Sequence, residues 1–168
     1  GGLSNIVEDT TPQLGGNLSL NSNDVTGTGN INITGDITGN NLRANNTLRL
    51  LQGVEEKTQE ITNATGTVDH NCSGGHIFFH SSISGNFTVN LTNLSLDPGY
   101  STVVTIMLDQ GGTGRDIVGL EIGGVAQTID WQGGSGPTAG TNNIDVVTFS
   151  IYRRVSSYIV LGQLMDFG

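Results

Sequence analysis

The sequence predicts an all-β protein, and its composition and its residue pattern carry that prediction. Glycine is abundant, with 26 of 168 residues, and it recurs along the chain in clusters typical of turns. Between the turns, apolar and polar residues alternate with the period of two expected of half-buried strands. Charged residues make up only 12% of the chain, whereas ordinary soluble domains have about 25%. Because disorder usually comes with high charge, this composition favours many short strands over coil.

The first 15 residues are predicted to form an extended arm. Pro12 lies in this segment, which has no sustained hydrophobic period. The arm has too little apolar surface to fold alone, so we expect it to be disordered in the isolated protein and ordered by docking on a partner. Four apolar residues are spaced as anchors for a partner's groove or sheet edge, namely Leu3, Ile6, Val7 and Leu14.

Residues 16–50 contain a degenerate repeat in which a turn residue precedes a short apolar and polar alternation. The pattern GNLSL at Gly16 returns as GNINI at Gly29 and as GDIT at Gly35. Such short strands are marginal alone and need neighbours. We expect a short β-repeat shaft in which three chains share one core, and a single-chain β-solenoid is the alternative. The predicted trimer core consists of Leu18, Leu20, Ile31, Ile33 and Ile37.

The rest of the chain is predicted to be a connector followed by a larger domain. Residues 51–66 are the connector, because Gly53 and the flanking Thr and Asn residues disfavour a stable helix. Strand signals separated by glycine-rich turns then predict a β-sandwich or jelly-roll-like domain over residues 67–168. The predicted strands are 67–72, 75–81, 86–92, 101–109, 116–122, 125–132, 143–152 and 157–164.

Alternation within these strands also predicts the core of the C-terminal domain. Trp131, the single tryptophan, is expected to anchor one end of it. The main predicted core residues are Phe87, Val89, Leu91, Val147 and Phe149. The same reasoning adds Val104, Ile106, Leu108, Ile151, Ile159 and Leu161.

Charge and hydropathy argue against several classes of partner. The net charge is −9 and the six basic residues do not form a cluster, so nucleic-acid binding and binding to an anionic membrane surface are not expected. No apolar run approaches the roughly 20 residues that a membrane span requires. The single cysteine, Cys72, allows no internal disulfide.

One group of residues has the side-chain types that bind metals. It comprises Asp69, His70, Cys72, His76 and His80. On a strand, His76 and His80 would lie about 13 Å apart, too far for one ion. We therefore expect ordinary turn and strand residues rather than a metal site. An ion held by three copies of one histidine on a three-fold axis is the alternative.

No catalytic residue and no cofactor is predicted. The segment GGTGR at 111–115 lacks the Gly-Lys-Ser/Thr ending of a phosphate-binding loop, so we expect a hairpin turn. Asp116, Asp130 and Asp145 could pair for glycoside hydrolysis. Because nothing in the sequence brings two of them together, we expect solvated turn carboxylates.

Both ends of the chain resemble a known family. The opening IVEDTTPQLGGNLSLNSNDVTGTGNINITGDITG, residues 6–39, resembles the N-terminal segment of many tail-fibre and virion structural proteins of marine tailed bacteriophages. The C-terminal run resembles a terminal β-domain of the same proteins. Its matching positions are Trp131, Gly133, Gly134, Pro137, Asp145, Val146, Thr148, Phe149, Gly162 and Gln163. The turn at residues 153–158, RRVSSY, departs from the family, which more often has a Gly turn and a Trp there.

This resemblance implies a homotrimer whose arm docks on other virion proteins and whose C-terminal domain faces outward. We expect adsorption to the host surface, with a host glycan as ligand, through exposed loops near residues 110–115 and 133–142. Capsid decoration, in which the trimer stabilises the shell without recognising a receptor, is the alternative. A glycan-degrading spike enzyme is a third alternative. The sequence leaves open the position on the particle and whether the chain is part of a longer protein.

Overall fold

The computed structural model describes residues 22, 24–26, 28, 31–39 and 42–168. The chain divides into two units, Gly1–Arg49 and Leu50–Gly168. In the described part of the first unit no residue belongs to a helix or strand. The single-chain β-solenoid considered for this stretch is therefore not seen in its described residues.

The second unit contains ten β-strands and one short turn of 3-10 helix among the described residues. The helical turn, Cys72–Gly74, is capped by the side chain of Asn71, which accepts a hydrogen bond from the Ser73 amide. The strands are β1 Thr58–Thr62, β2 Gly66–Asn71, β3 Ile77–Ser81, β4 Phe87–Thr92, β5 Ser101–Asp109, β6 Ile117–Ile122, β7 Val125–Gln127, β8 Ile129–Trp131, β9 Ile144–Arg153 and β10 Tyr158–Phe167.

The strands form two mixed sheets. The large sheet has the order β1-β3-β5-β9-β10-β8, and the small sheet has the order β2-β4-β6-β7. From β1 to β6 the chain alternates between the sheets, and strands that neighbour one another within each sheet run parallel. Antiparallel pairing begins only where β9 joins β5 and β10, and where β7 joins β6. The all-β prediction is confirmed, but this pairing differs from the antiparallel jelly roll.

The core lies between the two sheets. Phe87, Val89 and Leu91 of β4 are completely buried, because alternate residues of a strand point to one face. The large sheet contributes Val147 and Phe149 of β9, which are also buried. The other buried side chains are Ala64, Cys72, Phe78, Val104, Ile106, Leu108, Leu120, Ile122, Ile151 and Val160.

The buried face of β10 is the opposite of the one predicted. Ile159 and Leu161 were expected in the core, but they are 37% and 51% exposed, whereas Val160 between them is buried. Tyr158 and Arg153 are opposite each other in the β9–β10 hairpin, so Val160 pairs with the buried Ile151. A shift of one residue moves every side chain of a strand to the other face.

Strand β1 corrects the prediction of a connector over residues 51–66. It pairs in parallel with β3, so that Ile61 lies beside His80. In β1 the half-buried positions are Gln59 and Ile61. Because Gln59 is polar, the strand lacks the apolar period that predicts a strand from sequence, although the Gln59 amide is used inside the protein and donates to the Asn71 and Gly75 carbonyls. The predicted domain boundary at residue 67 consequently falls one residue inside β2.

The predicted shaft core is only partly covered by the described residues. Ile31, Ile33 and Ile37 are 79%, 49% and 69% exposed. Leu18 and Leu20 lie outside the described residues, as do the docking residues Leu3, Ile6, Val7 and Leu14. The short strands predicted here are not formed by pairing within one chain at the described positions.

Candidate functional site

A cleft of about 580 Å³ opens at one end of the second unit and is a candidate binding site. It lies where β4 and β6 end and where β10 begins. Apolar residues make up part of its lining, among them Leu91, which is completely buried, Ile122, which is 8% exposed, and Val125, which is 63% exposed. Asn93 and Gln127 contribute amide groups to its wall. A partly apolar lining with a few polar groups is typical of small-ligand sites.

Arg153 is the one charged residue of this cleft, and its position is well fixed. Its guanidinium lies 4.4 Å from the centre of the Tyr158 ring, a cation–π contact. Its backbone amide donates to the Tyr100 carbonyl at 2.9 Å, and its carbonyl accepts from the Gly99 amide at 2.8 Å. The turn that follows is closed by a 2.8 Å hydrogen bond from the Arg154 amide to the Ser157 carbonyl. Arg153 is therefore held at the cleft before any ligand arrives.

The charge of the cleft is opposite to that of the chain. Among its twelve lining residues are one arginine and no carboxylate, in a chain with 15 acidic and six basic residues. Ser156 and Ser157 are lining residues too, and they follow Arg153 closely in the chain. This arrangement can bind an anionic group, because a guanidinium offers two parallel donors to an oxyanion. Sequence reasoning missed the site, although Arg153 and Arg154 are the only adjacent basic residues in the chain.

A second cleft, of about 430 Å³, lies on strands β8, β9 and β10. It is lined by Asp130, Gln132, Thr148, Ser150 and Gln163, among others. Trp131, predicted to anchor one end of the core, borders this cleft and is partly buried, with its ring 5.8 Å from that of Phe149. The lining has one carboxylate and no basic residue, so this cleft lacks the anion-binding character of the first.

A pair of histidines is buried between the sheets. His70 of β2 and His80 of β3 are both 0% exposed, and their Nε2 atoms are 2.8 Å apart. The Nδ1 atom of His70 lies 2.8 Å from the Val68 carbonyl, which can only accept, so this nitrogen carries the proton. Its Nε2 is therefore an acceptor, and His80 must donate from its own Nε2. The Nδ1 atom of His80 is then unprotonated, and it has no hydrogen-bond partner among the described residues.

Both histidines are held in the neutral form. Burial lowers the pKa of His70 to about 4, although the Val68 carbonyl and the Asp69 carboxylate partly oppose this shift. Burial and then the neighbouring His70 lower the pKa of His80 to about 4. The rings of Phe78 and Phe87 pack against the pair at centroid distances of 4.8 and 4.9 Å. The pair is thus part of the core, and a ligand cannot reach it from the surface.

The other members of the metal-like group do not join this pair. His76 contacts the Thr102 hydroxyl at 2.9 Å through Nδ1. Cys72 is buried beside the His70 carbonyl, and burial raises the pKa of its thiol to about 11. In the described residues no group of three or more potential ligands is arranged around a common point. His76 contacts Thr102 and His80 contacts His70, and the pairing of His70 with His80 was not predicted.

The loops expected to recognise a ligand are tied together at the opposite end of β5. Asp145 is completely buried, which corrects the expectation of a solvated carboxylate. It accepts hydrogen bonds from Gln110 Nε2 at 3.0 Å, from the Gly140 amide at 2.9 Å and from Asn143 Nδ2 at 2.9 Å. Gln110 also accepts from the Arg115 amide and so closes the turn at 111–115. Asp116 accepts from the Ala139 amide, while Asp130 is exposed.

Two neighbouring rows on the outward face of the large sheet are largely apolar or uncharged, although the exposed Asp109 lies in the next row. Phe79, Met107, Val146 and Met165 lie side by side on four adjacent strands. The neighbouring row, Ile77, Thr105, Thr148 and Gln163, is uncharged. Only Glu60, on edge strand β1, places a charge at the end of the first row. We call these two rows the outer apolar face.

Comparisons with protein-family models, with curated proteins and with solved structures yield no match. Among the described residues, no helix is long and apolar enough to cross a membrane.

Proposed function

We propose that this protein is a virion structural protein of a tailed bacteriophage. In this proposal it forms a homotrimeric fibre or spike, attached to other virion proteins through its N-terminal arm. Its C-terminal β-domain is displayed for adsorption to the host surface. The proposal assigns it no catalytic activity, no metal and no cofactor. The observation that carries the proposal is the exposure of the apolar residues in the first unit.

These apolar residues have no core of their own in a single chain. Besides the isoleucines of the predicted shaft, Val25 is 70% exposed, Leu42 is 73% exposed and Leu48 is 57% exposed. Each such side chain gains about 1.5–3 kcal/mol when it is buried. Their alternation with polar residues fits strands that pair with neighbouring copies. Sharing a core between three chains would remove this surface from water.

The outer apolar face of the second unit supports self-association too. Copies of a chain with a net charge of −9 repel one another over most of their surface. An uncharged face is where identical copies can approach without that penalty. Phe79, Met107 and Val146 are already half-buried in one chain, so little side-chain entropy is lost on contact. We therefore assign this face to other copies of the same chain.

The virion part of the proposal is supported by the resemblance of both chain ends to tail-fibre and virion structural proteins. The matching C-terminal positions include Trp131 and Gly162, and these two residues pack against each other in the β-domain. The resemblance does not distinguish a tail fibre from a capsid decoration protein.

Analytical ultracentrifugation of Ile31→Asp tests the trimer. Three copies of a buried, unpaired carboxylate near one axis cost several kcal/mol each, so the trimer should dissociate or misassemble. Asn32→Asp is the matched control, because it adds the same charge on the alternate side of the predicted strand and should leave the trimer intact. A wild-type chain that stays monomeric at micromolar concentration would contradict the proposal.

Particles that lack the protein test its role. Normal stability with lost adsorption supports the fibre, whereas particles that break apart support capsid decoration. Deleting residues 1–14 should leave a folded trimer that no longer incorporates into particles. Normal incorporation of this deletion variant would show that docking occurs elsewhere.

A further inference from the structure

We infer that the cleft beside Arg153 binds a saccharide that carries an oxyanion, with a uronic-acid carboxylate as the group that fits it best. This inference rests on the proposed adsorption function and specifies its ligand class and its site. It differs from the sequence-based expectation, which assigned recognition to the loops near residues 110–115 and 133–142.

The two ends of the second unit differ in how their polar groups are used. At the end that contains the 111–115 turn, Gln110, Asn143 and Asp145 bind one another and the loop backbone. These side chains therefore use their donors and acceptors to hold the loops in place and have few left for a ligand. In the cleft, the Arg153 guanidinium lies over the Tyr158 ring, which leaves its N–H groups directed along the plane of the guanidinium, where an oxyanion can bind.

The composition of the cleft matches a charged sugar better than a simple ion. A volume of about 580 Å³ is larger than an inorganic anion requires and falls within the usual range of small-ligand sites. The apolar lining residues Val125, which is 63% exposed, and Leu94, which is partly exposed, can contact the C–H face of a sugar ring. The hydroxyls of Ser156 and Ser157 can exchange hydrogen bonds with ring hydroxyls. Asn93, whose Nδ2 already donates to Asn71 Oδ1 at 3.0 Å, can still offer its Oδ1 as an acceptor.

The electrostatics of the chain add selectivity. The protein as a whole repels anions, since its net charge is −9. A ligand with one carboxylate gains the most binding free energy at a site that has one guanidinium and no carboxylate in its lining. A neutral sugar gains nothing from Arg153, and a polyanion is repelled by the surrounding surface. The expected preference is therefore for a singly charged saccharide over its neutral counterpart.

Isothermal titration of the full-length protein with glucuronic acid, with its neutral counterpart glucose and with glucose 6-phosphate tests this inference. We expect the glucuronic acid ligand to bind at least about tenfold more tightly than the glucose ligand. Arg153→Gln should weaken its binding about tenfold or more, and Arg153→Lys should weaken it less. Arg154→Gln is the control, because Arg154 is exposed and lies outside the lining, and it should leave the affinity unchanged.

A second variant leaves Arg153 and its cation–π contact in place. Gln127→Glu puts a carboxylate in the cleft wall in place of the amide that donates to the Val125 carbonyl at 2.8 Å. It should weaken glucuronate binding about tenfold, whereas the loss of this exposed hydrogen bond should lower the free energy of unfolding by no more than about 1 kcal/mol. If glucose 6-phosphate binds more tightly than glucuronate, the cleft still binds an oxyanion, but the group it prefers is a phosphate and not a carboxylate. Equal affinity for the glucose and glucuronate ligands, or unchanged binding in both variants, overturns the inference.

The inference and the proposed function fail in different ways. If Arg153→Gln particles assemble and adsorb normally, the cleft is not the receptor site, and the fibre role stands. If particles that lack the protein altogether adsorb normally, the adsorption role fails even where the purified protein binds glucuronate.

Discussion

The two units of this chain have the same period-two alternation of apolar and polar residues, but they differ greatly in how far their apolar side chains are buried. In the first unit the described isoleucines, such as Ile31 and Ile37, are 79% and 69% exposed. In the second unit Phe87 and Phe149 are 0% exposed. The difference arises from strand length and number, because nine- and ten-residue strands such as β5, β9 and β10 can close a two-layer core within one chain. Alternation by itself therefore predicts that a segment forms a strand. It does not predict whether the apolar side of that strand is buried by the same chain or by another copy.

The largest expected effect comes from the core of the second unit. Phe149→Ala should lower the free energy of unfolding by about 3–5 kcal/mol, because it leaves a cavity among buried side chains. Urea unfolding followed by Trp131 fluorescence reports on this region, since the two rings are 5.8 Å apart. Ile33→Ala in the first unit should leave this transition within about 0.5 kcal/mol. Equal effects of the two substitutions would mean that both units unfold as one and would abolish the contrast.

The strand positions in the second unit could be predicted closely, and the reason is physical. Glycine-rich turns such as Gly123-Gly124, both with positive φ, mark where strands end. Strand β5 was predicted at the bounds that the structure has, Ser101–Asp109. The pairing could not be predicted, because parallel partners such as β3 and β5 are set by contacts distant in sequence. Neither His70–His80 nor the Arg153 cleft has a local pattern, and both arise where separate strands meet.

Acidification should weaken the second unit through its histidine pair. The pKa of each histidine is about 4 in the folded chain and about 6.5 when unfolded. The unfolded chain therefore binds more protons below pH 6.5, and stability falls as the pH drops toward 4. The expected loss between pH 6.5 and 5 is on the order of a few kcal/mol for the pair together.

The double variant H70L/H80L isolates this contribution from that of the carboxylates. Its free energy of unfolding should change less over the same pH interval than that of the wild type. His76→Asn should keep the acid sensitivity, because His76 lies outside the pair. Identical pH profiles of the wild type and the double variant would contradict the assignment.

The buried carboxylate of Asp145 should contribute less to the free energy of unfolding than the core residue Phe149 does. Asp145→Asn replaces one acceptor oxygen by an amide group that faces donors, so we expect a loss of about 2–3 kcal/mol in the free energy of unfolding. Asp130→Asn is the control at an exposed position and should change stability by less than about 0.5 kcal/mol. Hydrogen exchange of the Gly140 amide, which donates to Asp145 at 2.9 Å, should accelerate in the first variant only. Unchanged protection of this amide would mean that other contacts hold the loop.

The smallest effect is expected at Gly162 in β10. An added Cβ would lie 2.6 Å from Trp131 Cε3 and 2.7 Å from Ile129 Cγ2, so the tryptophan ring must move. Gly162→Ala should cost about 1–3 kcal/mol and shift the Trp131 emission spectrum. Gly111→Ala is the matched control, because nothing lies within 4 Å of its added Cβ. A wild-type emission spectrum in Gly162→Ala would show that the ring does not depend on this close approach.

The sequence by itself determined the all-β class, most strand positions and the core residues of β4, β5 and β9, because alternation and turn chemistry are local properties. The tertiary structure decided which face of β10 is buried, since the pairing of Tyr158 with Arg153 sets the register of the whole strand. It also decided that His70 and His80 meet, that Asp145 is buried, and that Arg153 lies in a cleft free of carboxylates. Each of these depends on strands far apart in the chain coming together, and no local pattern of residues encodes that.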